Sequence, residues 1–247
     1  MKALKSLIDL IYPPRCLVCQ AFLQDQNTLQ GDQNLPFCQD CFKGFTEIES
    51  PICSLCGRPF SGGTERDRVC EDCLRKRPSY DIARAPYLYA GALMTAIHEL
   101  KYAQRTHLAD SLGSLLASFA QTRIGELKGS LIMPVPLHPR RLRARGFNQS
   151  LLLARVVASK TDSDLDFLSL RRTKFTKPQT GLSSEERKKN VRKAFEVVKP
   201  QAVKGRTILL VDDVATTGST LNECAKALKR ARADGVLCLV LARTSTA

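Results

Sequence analysis

No tryptophan occurs among the 247 residues, and aromatic side chains make up only 6% of them. Few flat platforms remain on which single-stranded bases could stack, which weighs against a dedicated single-strand binder. Long apolar runs are also missing. The opening stretch MKALKSLIDLIY is too short to span a bilayer, contains Asp9 and does not read as a secretory signal. Its Leu4, Leu7, Ile8 and Ile11 are spaced for one face of a short docking helix instead. There is no low-complexity tract and no long repeat beyond the cysteine pairs. Acidic residues are the minority sign: 24 Asp and Glu against 38 Lys and Arg give +14. That balance favours anionic partners such as nucleotides, nucleic acid or acidic lipid, although ordinary solvated basic faces give the same figure.

What the chain has in excess is cysteine. Eight of its ten cysteines lie between residues 16 and 73. With no secretory signal, a cytoplasmic location is expected, and there clustered thiols hold metal more often than they form disulfides. The eight form four C-x-x-C pairs: Cys16/Cys19, Cys38/Cys41, Cys53/Cys56 and Cys70/Cys73. Two residues between thiolates let both sulfurs face one point. Eighteen residues separate the first two pairs and thirteen the last two, spacings that suit two four-cysteine zinc sites. Sequential pairing closes shorter loops and is preferred over an interleaved cross-brace. Four thiolates leave no open position for water, so both ions are expected to be structural and to supply folding free energy. Each filled site carries about −2, bringing the net charge nearer ~+10. Lys43, Arg58, Arg66 and Arg68 would let a ribbon also touch nucleic acid or protein. The isolated Cys224 and Cys238 fall on apolar faces and read as core.

Composition shifts after this region. Residues 1–78 are expected to form the N-terminal helix and double ribbon, and residues 79–247 a second domain. Leu108, Leu112, Leu115, Leu116 and Phe119 mark one helical face. SLIMPVPL (130–137) reads as a buried strand entering a loop, and NQSLLLARVVASK (148–160) as a helix. TILLV (207–211) and VLCLVLA (236–242) are strands flanking a helix marked by Leu221, Cys224, Ala225 and Leu228. Alternating strands and helices predict an α/β domain with a mostly parallel sheet. The polar, basic segment 171–193 is expected to be a loop with some helix.

One stretch carries most of the chemistry. LLVDDVATTGST (209–220) sets two adjacent acids after an apolar strand, then a Thr- and Gly-rich turn into a helix. Ligands bind at the carboxyl ends of parallel strands, and a helix N-terminus suits phosphate. Acids at one side can take a sugar diol or approach Mg²⁺. The stretch resembles the 5-phosphoribosyl-1-pyrophosphate (PRPP) motif of type I phosphoribosyltransferases. That resemblance implies that Asp212 and Asp213 bind the ribose hydroxyls, directly or through Mg²⁺. It also implies that Ala215, Thr216, Thr217, Gly218, Ser219 and Thr220 cradle the 5-phosphate. PVPLHPRRLRARGFNQS (134–150) occupies the place of that family's pyrophosphate loop, with Pro136, Leu137, His138, Arg140 and Arg141 as candidates and Arg143 and Arg145 adding charge. The segment 171–193 stands where such enzymes carry a lid, with Lys174, Thr176, Gln179, Arg187 and Asn190 as candidate contacts. The PRPP stretch itself offers no general base. His98, His107 and His138 lie elsewhere, and Lys101 is a better ligand candidate than any of them.

Taken in order, IYPPRCLVC, four knuckles, PVPLHPRRLRARGFNQS, TKPQTGLSSEERKKNVRKAF and LLVDDVATTGST resemble the ComF family over nearly the whole chain. The resemblance implies a type I phosphoribosyltransferase-like sheet behind a zinc ribbon region, and a role in natural competence or in using external DNA. Three functions follow as expectations. One is transfer of phosphoribosyl from PRPP to an unidentified acceptor, with release of pyrophosphate. Another is a single-stranded DNA-binding uptake factor with PRPP as a regulatory ligand, meeting a helicase or transport ATPase at the inner-membrane periphery. The last is a zinc-ribbon adaptor for protein contact.

Overall fold

The structure is a computed structural model and describes residues 13–23, 35–60, 66–103, 105–125, 127, 129–175 and 191–245. The N-terminal docking helix, with Leu4, Leu7, Ile8 and Ile11, lies outside the described residues, as do the lid candidates Thr176, Gln179, Arg187 and Asn190. In chain order the ribbon region carries α1 (Gln39–Lys43) and α2 (Glu71–Arg75). Then come β1 (Ile82–Arg84), β2 (Tyr87–Leu88), α3 (Gly91–Tyr102), α4 (Leu108–Arg123) and β3 (Leu131–Pro134). They are followed by α5 (Pro139–Arg145), α6 (Gln149–Thr161), β4 (Asp164–Leu165), β5 (Leu170–Arg172) and β6 (Phe195–Val197). The last described elements are α7 (Pro200–Val203), β7 (Thr207–Ala215), α8 (Ser219–Arg230) and β8 (Gly235–Arg243).

The main sheet runs β1-β8-β7-β3-β4, with β2 also on β8, and every pairing in it is parallel. Its central strands are the apolar runs the sequence offered, because a parallel sheet covered on both faces needs apolar residues at successive positions. β7 continues four residues past the expected TILLV, so Asp212 and Asp213 lie within the strand. The flanks of the basic segment hold a feature that its polarity concealed: β5 and β6 pair antiparallel, Leu170 opposite Val197 and Arg172 opposite Phe195.

Period-two alternation divides the core. Leu209 and Val211 of β7, with Leu239 and Leu241 of β8, face α3, α4 and α6 through Leu93, Leu112 and Leu153. Ile208, Leu210, Cys238 and Val240 face the other way, against Leu221, Cys224 and Leu228 of α8. Each ribbon joins a different side of this division. Phe37 and Phe45 of the first ribbon pack edge-to-face, 5.3 Å between centroids, and Phe45 meets Tyr87 of β2 at 5.6 Å. The second ribbon joins the opposite layer: its four cysteines cluster with Tyr80, Ala83 and Ala85. There the Ala83 N–H donates to the Leu55 carbonyl at 2.7 Å. Gly57 makes that approach feasible. Its φ is +69°, and a Cβ there would lie 2.4 Å from the Ala83 oxygen.

Candidate functional site

Where β3 stops, the sheet opens beside the acids. β7 pairs with β3 only as far as Val211 opposite Pro134, but with β8 as far as Ala215 opposite Arg243. The start of α6 fills the opening. Asn148 caps that helix, its side-chain oxygen accepting from the Ser150 N–H at 3.1 Å while its amide donates to the Val135 carbonyl at 3.1 Å. So fixed, the first two residues of α6 reach the acids. Ser150 Oγ donates to Asp212 Oδ1 at 2.7 Å, and Gln149 Nε2 donates to Asp213 Oδ1 at 3.1 Å. The Asp213 N–H also donates to Asp212 Oδ1 at 3.0 Å. Lys101, from the last turn of α3, forms an ion pair with Asp213 Oδ2.

Both carboxylates are nearly out of water, at 8% and 4% exposure, yet their ionisation diverges. Burial, and then the charge of Asp213, push Asp212 up to about 7. Burial also opposes charge on Asp213, but the Lys101 ammonium and the hydrogen bonds from Lys101 and Gln149 outweigh it and hold that carboxyl below its ordinary value. Lys101 shows the complement: burial works against its charge, and Asp213 more than compensates. Near neutral pH the pair therefore holds one firm negative charge, matched by Lys101, and one that exchanges a proton.

The loop beyond the acids turns into α8 through Gly218, whose φ of +69° is the left-handed region glycine adopts without strain. Thr217 Oγ1 and Ser219 Oγ lie 2.7 Å apart, and the Ser219 N–H donates to Thr217 Oγ1 at 3.3 Å. The loop thus presents hydroxyls and first-turn N–H groups at the positive end of a twelve-residue helix. Ala215 is buried under the loop, while Thr216 and Thr220 are half-buried beside it.

The stretch expected as a pyrophosphate loop contains the short helix α5. Pro136 and Leu137 lead into it, and His138 caps it by accepting from the Arg140 N–H at Nδ1, 3.2 Å away. Desolvation and the neighbouring arginines lower the His138 pKa, keeping the imidazole neutral so that Nδ1 can accept. Phe175 sits against this helix start, 5.2 Å from the His138 ring and 5.3 Å beneath the Arg140 guanidinium. Lys174, its neighbour, donates to the Arg192 carbonyl at 3.3 Å. Arg141 is half-buried, and burial lowers its pKa. Arg145 donates to Gln149 Oε1 at 2.6 Å, linking α5 to the amide that holds Asp213.

The cysteines settle into the sequential pairing. Cys16, Cys19, Cys38 and Cys41 form one four-sulfur cluster, and Cys53, Cys56, Cys70 and Cys73 another, the ligand atoms of each within 4.8 Å of one another. Sulfur separations of 3.7 Å (Cys19–Cys38) and 3.8 Å (Cys56–Cys70) fit a tetrahedral ion. A metal–sulfur bond of about 2.3 Å gives an edge of about 3.8 Å. Backbone donors favour the thiolates: Cys53 Sγ accepts from the N–H of Cys56 at 3.4 Å and of Cys70 at 3.3 Å. Burial raises the Cys53 thiol, but these donors and Leu55 outweigh it and bring it to about 6.

Residues 7–74 match the Double zinc ribbon domain and residues 148–246 the Phosphoribosyl transferase domain. The DNA utilization protein YhgH of Escherichia coli (strain K12) is 36% identical over 210 residues, covering 84% of this chain and 90% of that protein. The chain belongs to the ComF family. Competence protein F of Haemophilus influenzae is 33% identical over 83% of this chain and 88% of its own length. Competence protein ComFC of Bacillus subtilis is 29% identical over 93% and 95%. The chain is thus a member of a family of competence and DNA utilisation proteins with a phosphoribosyltransferase domain. Among the described residues no helix is long and apolar enough to cross a membrane.

Sequence reasoning assigns no role to Gln149 or Ser150, although they hold the acid pair. Their signal was two polar residues opening an otherwise apolar helix, directly after a capping asparagine.

Proposed function

We propose that this chain binds PRPP with Mg²⁺ along the β7–α8 edge and transfers its phosphoribosyl group to an acceptor used in competence or DNA utilisation. The buried acid pair at the point where β3 ends, beside a glycine-led helix N-terminus, carries this reading. Asp212 and Asp213 would take the ribose hydroxyls, with Lys101, Gln149 and Ser150 setting their orientation and charge. Ala215 to Thr220 would hold the 5-phosphate through backbone N–H groups and the Thr217 and Ser219 hydroxyls. The donor set also fits a hard cation, because carboxylates and hydroxyls offer oxygen ligands. When bound, Mg²⁺ would neutralise charge on the departing pyrophosphate. Arg140 and Arg141 supply fixed positive charge on the α5 side, where that group would leave. His138, engaged as a cap, keeps its lone pair on a backbone donor and is poorly placed to act as a base. Phe175, packed against His138 and Arg140, would help to exclude water from the leaving group on the α5 side.

Calorimetric titration of PRPP into zinc-loaded protein, with and without Mg²⁺, tests the reading. Mg²⁺-dependent binding that disappears in an Asp212→Asn/Asp213→Asn variant is expected. An intact protein that binds no PRPP would overturn the assignment and leave DNA binding or adaptor contact as the function.

A further inference from the structure

Arg243, the last residue of β8, is 2% exposed, and its Nε and Nη1 have no hydrogen-bond partner among the described residues. A buried guanidinium needs a negative partner, since leaving its charge uncompensated is far more costly than the pair is worth. No ion pair to a carboxylate is found for it among the described residues. Its surroundings explain this. Arg243 lines a cavity of about 670 Å³ together with Cys56 and Cys73 of the second ribbon, Tyr80, and Thr217 and Gly218 of the phosphate loop. The two carboxylates that also line the cavity, Asp72 and Glu223, are paired with Arg58 and Lys226. Four thiolates around a divalent ion carry about −2, and that centre is the anion left for Arg243.

The same residue stands at the phosphate loop. Its Cα is paired with that of Ala215, where the loop begins. Across the cavity, a Cβ on Gly218 would lie 3.4 Å from the Tyr80 hydroxyl. Among the described residues the first ribbon joins the opposite layer of the core instead, through Phe37 and Phe45.

We propose that Arg243 is an outer-sphere cation of the metal centre at Cys53, Cys56, Cys70 and Cys73, and that it couples this centre, and not the first, to the phosphate loop. Arg243 is a positioning residue here, acting through the thiolates. The coupling rests on the PRPP reading; the electrostatic role of Arg243 does not.

Zinc release to a colorimetric chelator separates the two. The full-length protein should lose its zinc in two phases, assigned with a Cys19→Ser/Cys41→Ser variant that retains only the second centre. Outer-sphere partners typically contribute about 10–100-fold to metal affinity. Arg243→Met should therefore speed release from the second centre by about 10–100-fold and leave the first phase unmoved, and Arg243→Lys should recover much of the loss. PRPP with Mg²⁺ should slow only the second-centre phase, and should not do so in Arg243→Met, which lacks the side chain that joins the two sites. Unchanged release in Arg243→Met, or equal acceleration of both phases, would overturn the electrostatic role. PRPP that binds by calorimetry without altering release would overturn the coupling. Failure of PRPP to bind at all would sink the PRPP reading and the coupling together, while the release rates of the variants would still decide the role of Arg243.

Discussion

Replacing Lys101 with methionine removes the cation that allows Asp213 to stay ionised inside the protein. The ion pair is almost dry, with side-chain exposures of 16% for Lys101 and 5% for Asp213. Removing one member of a buried pair typically costs about 3–5 kcal/mol. Here the remaining charge also lies beside Asp212, so the upper part of that range applies at pH 8, where both carboxyls are ionised in the folded state. The variant can escape by protonating Asp213, whose folded pKa would then rise above its unfolded value. A carboxyl raised in this way carries its full penalty above the folded pKa, and the penalty shrinks as pH falls from there toward the unfolded value near ~4. At pH 5 the loss should shrink to less than half. Urea unfolding followed by far-ultraviolet circular dichroism, in zinc-saturated buffer at both pH values, measures this. Lys101→Met/Asp213→Asn should regain most of the loss at pH 8, giving a coupling energy of about 2 kcal/mol or more. A loss below ~1 kcal/mol that does not vary with pH, or no recovery in the double variant, would refute the electrostatic account of this site.

The proton on Asp212 gives a second test. Its folded pKa is about 7, so its contribution to stability falls as pH rises from about 4 to about 7. Asp212→Asn should therefore stabilise the empty protein at pH 8, on the order of 2–4 kcal/mol, while abolishing Mg²⁺-dependent PRPP binding. If binding needs the ionised acid, PRPP affinity should rise about tenfold between pH 6 and pH 8 in the intact protein. Metal analysis should find two zinc ions per chain, and one in Cys19→Ser/Cys41→Ser. Gly113→Ala should lower stability by about 1–3 kcal/mol, because the added Cβ would stand 2.7 Å from Val156 Cβ where α4 meets α6. Thermal unfolding reads that last effect, and an unchanged midpoint would mean the helices can separate freely.

Much of this was legible because it depends on local pattern. TILLV and VLCLVLA announced buried parallel strands, and four C-x-x-C pairs announced two metal centres. The length of β7 was less legible. Two aspartates look like the end of a strand, yet β8 remains beside them as far as Arg243 and keeps the backbone extended. Gln149 and Ser150 stand 64 and 62 residues from the acids they hold, a pairing set by how α6 enters beside β7. The short β5–β6 pair was hidden by its composition, since Arg171, Arg172 and Glu196 resemble loop residues until register places them opposite partners. Arg243 offered no signal at all. Its importance arises only when the second ribbon is laid against the end of β8.

Strand order also has a consequence for a chain that emerges from the ribosome one residue at a time. β8 lies between β1 and β7, although some 150 residues of chain separate β1 from it. At about 5–20 residues per second, β1 must wait many seconds for its neighbour. The knuckles need no such delay. All eight of their cysteines precede β1, and each metal centre closes within about two dozen residues. Metal loading can therefore come first in the life of the molecule, and the late arrival of β8 completes the sheet around an N-terminal part already organised to receive it.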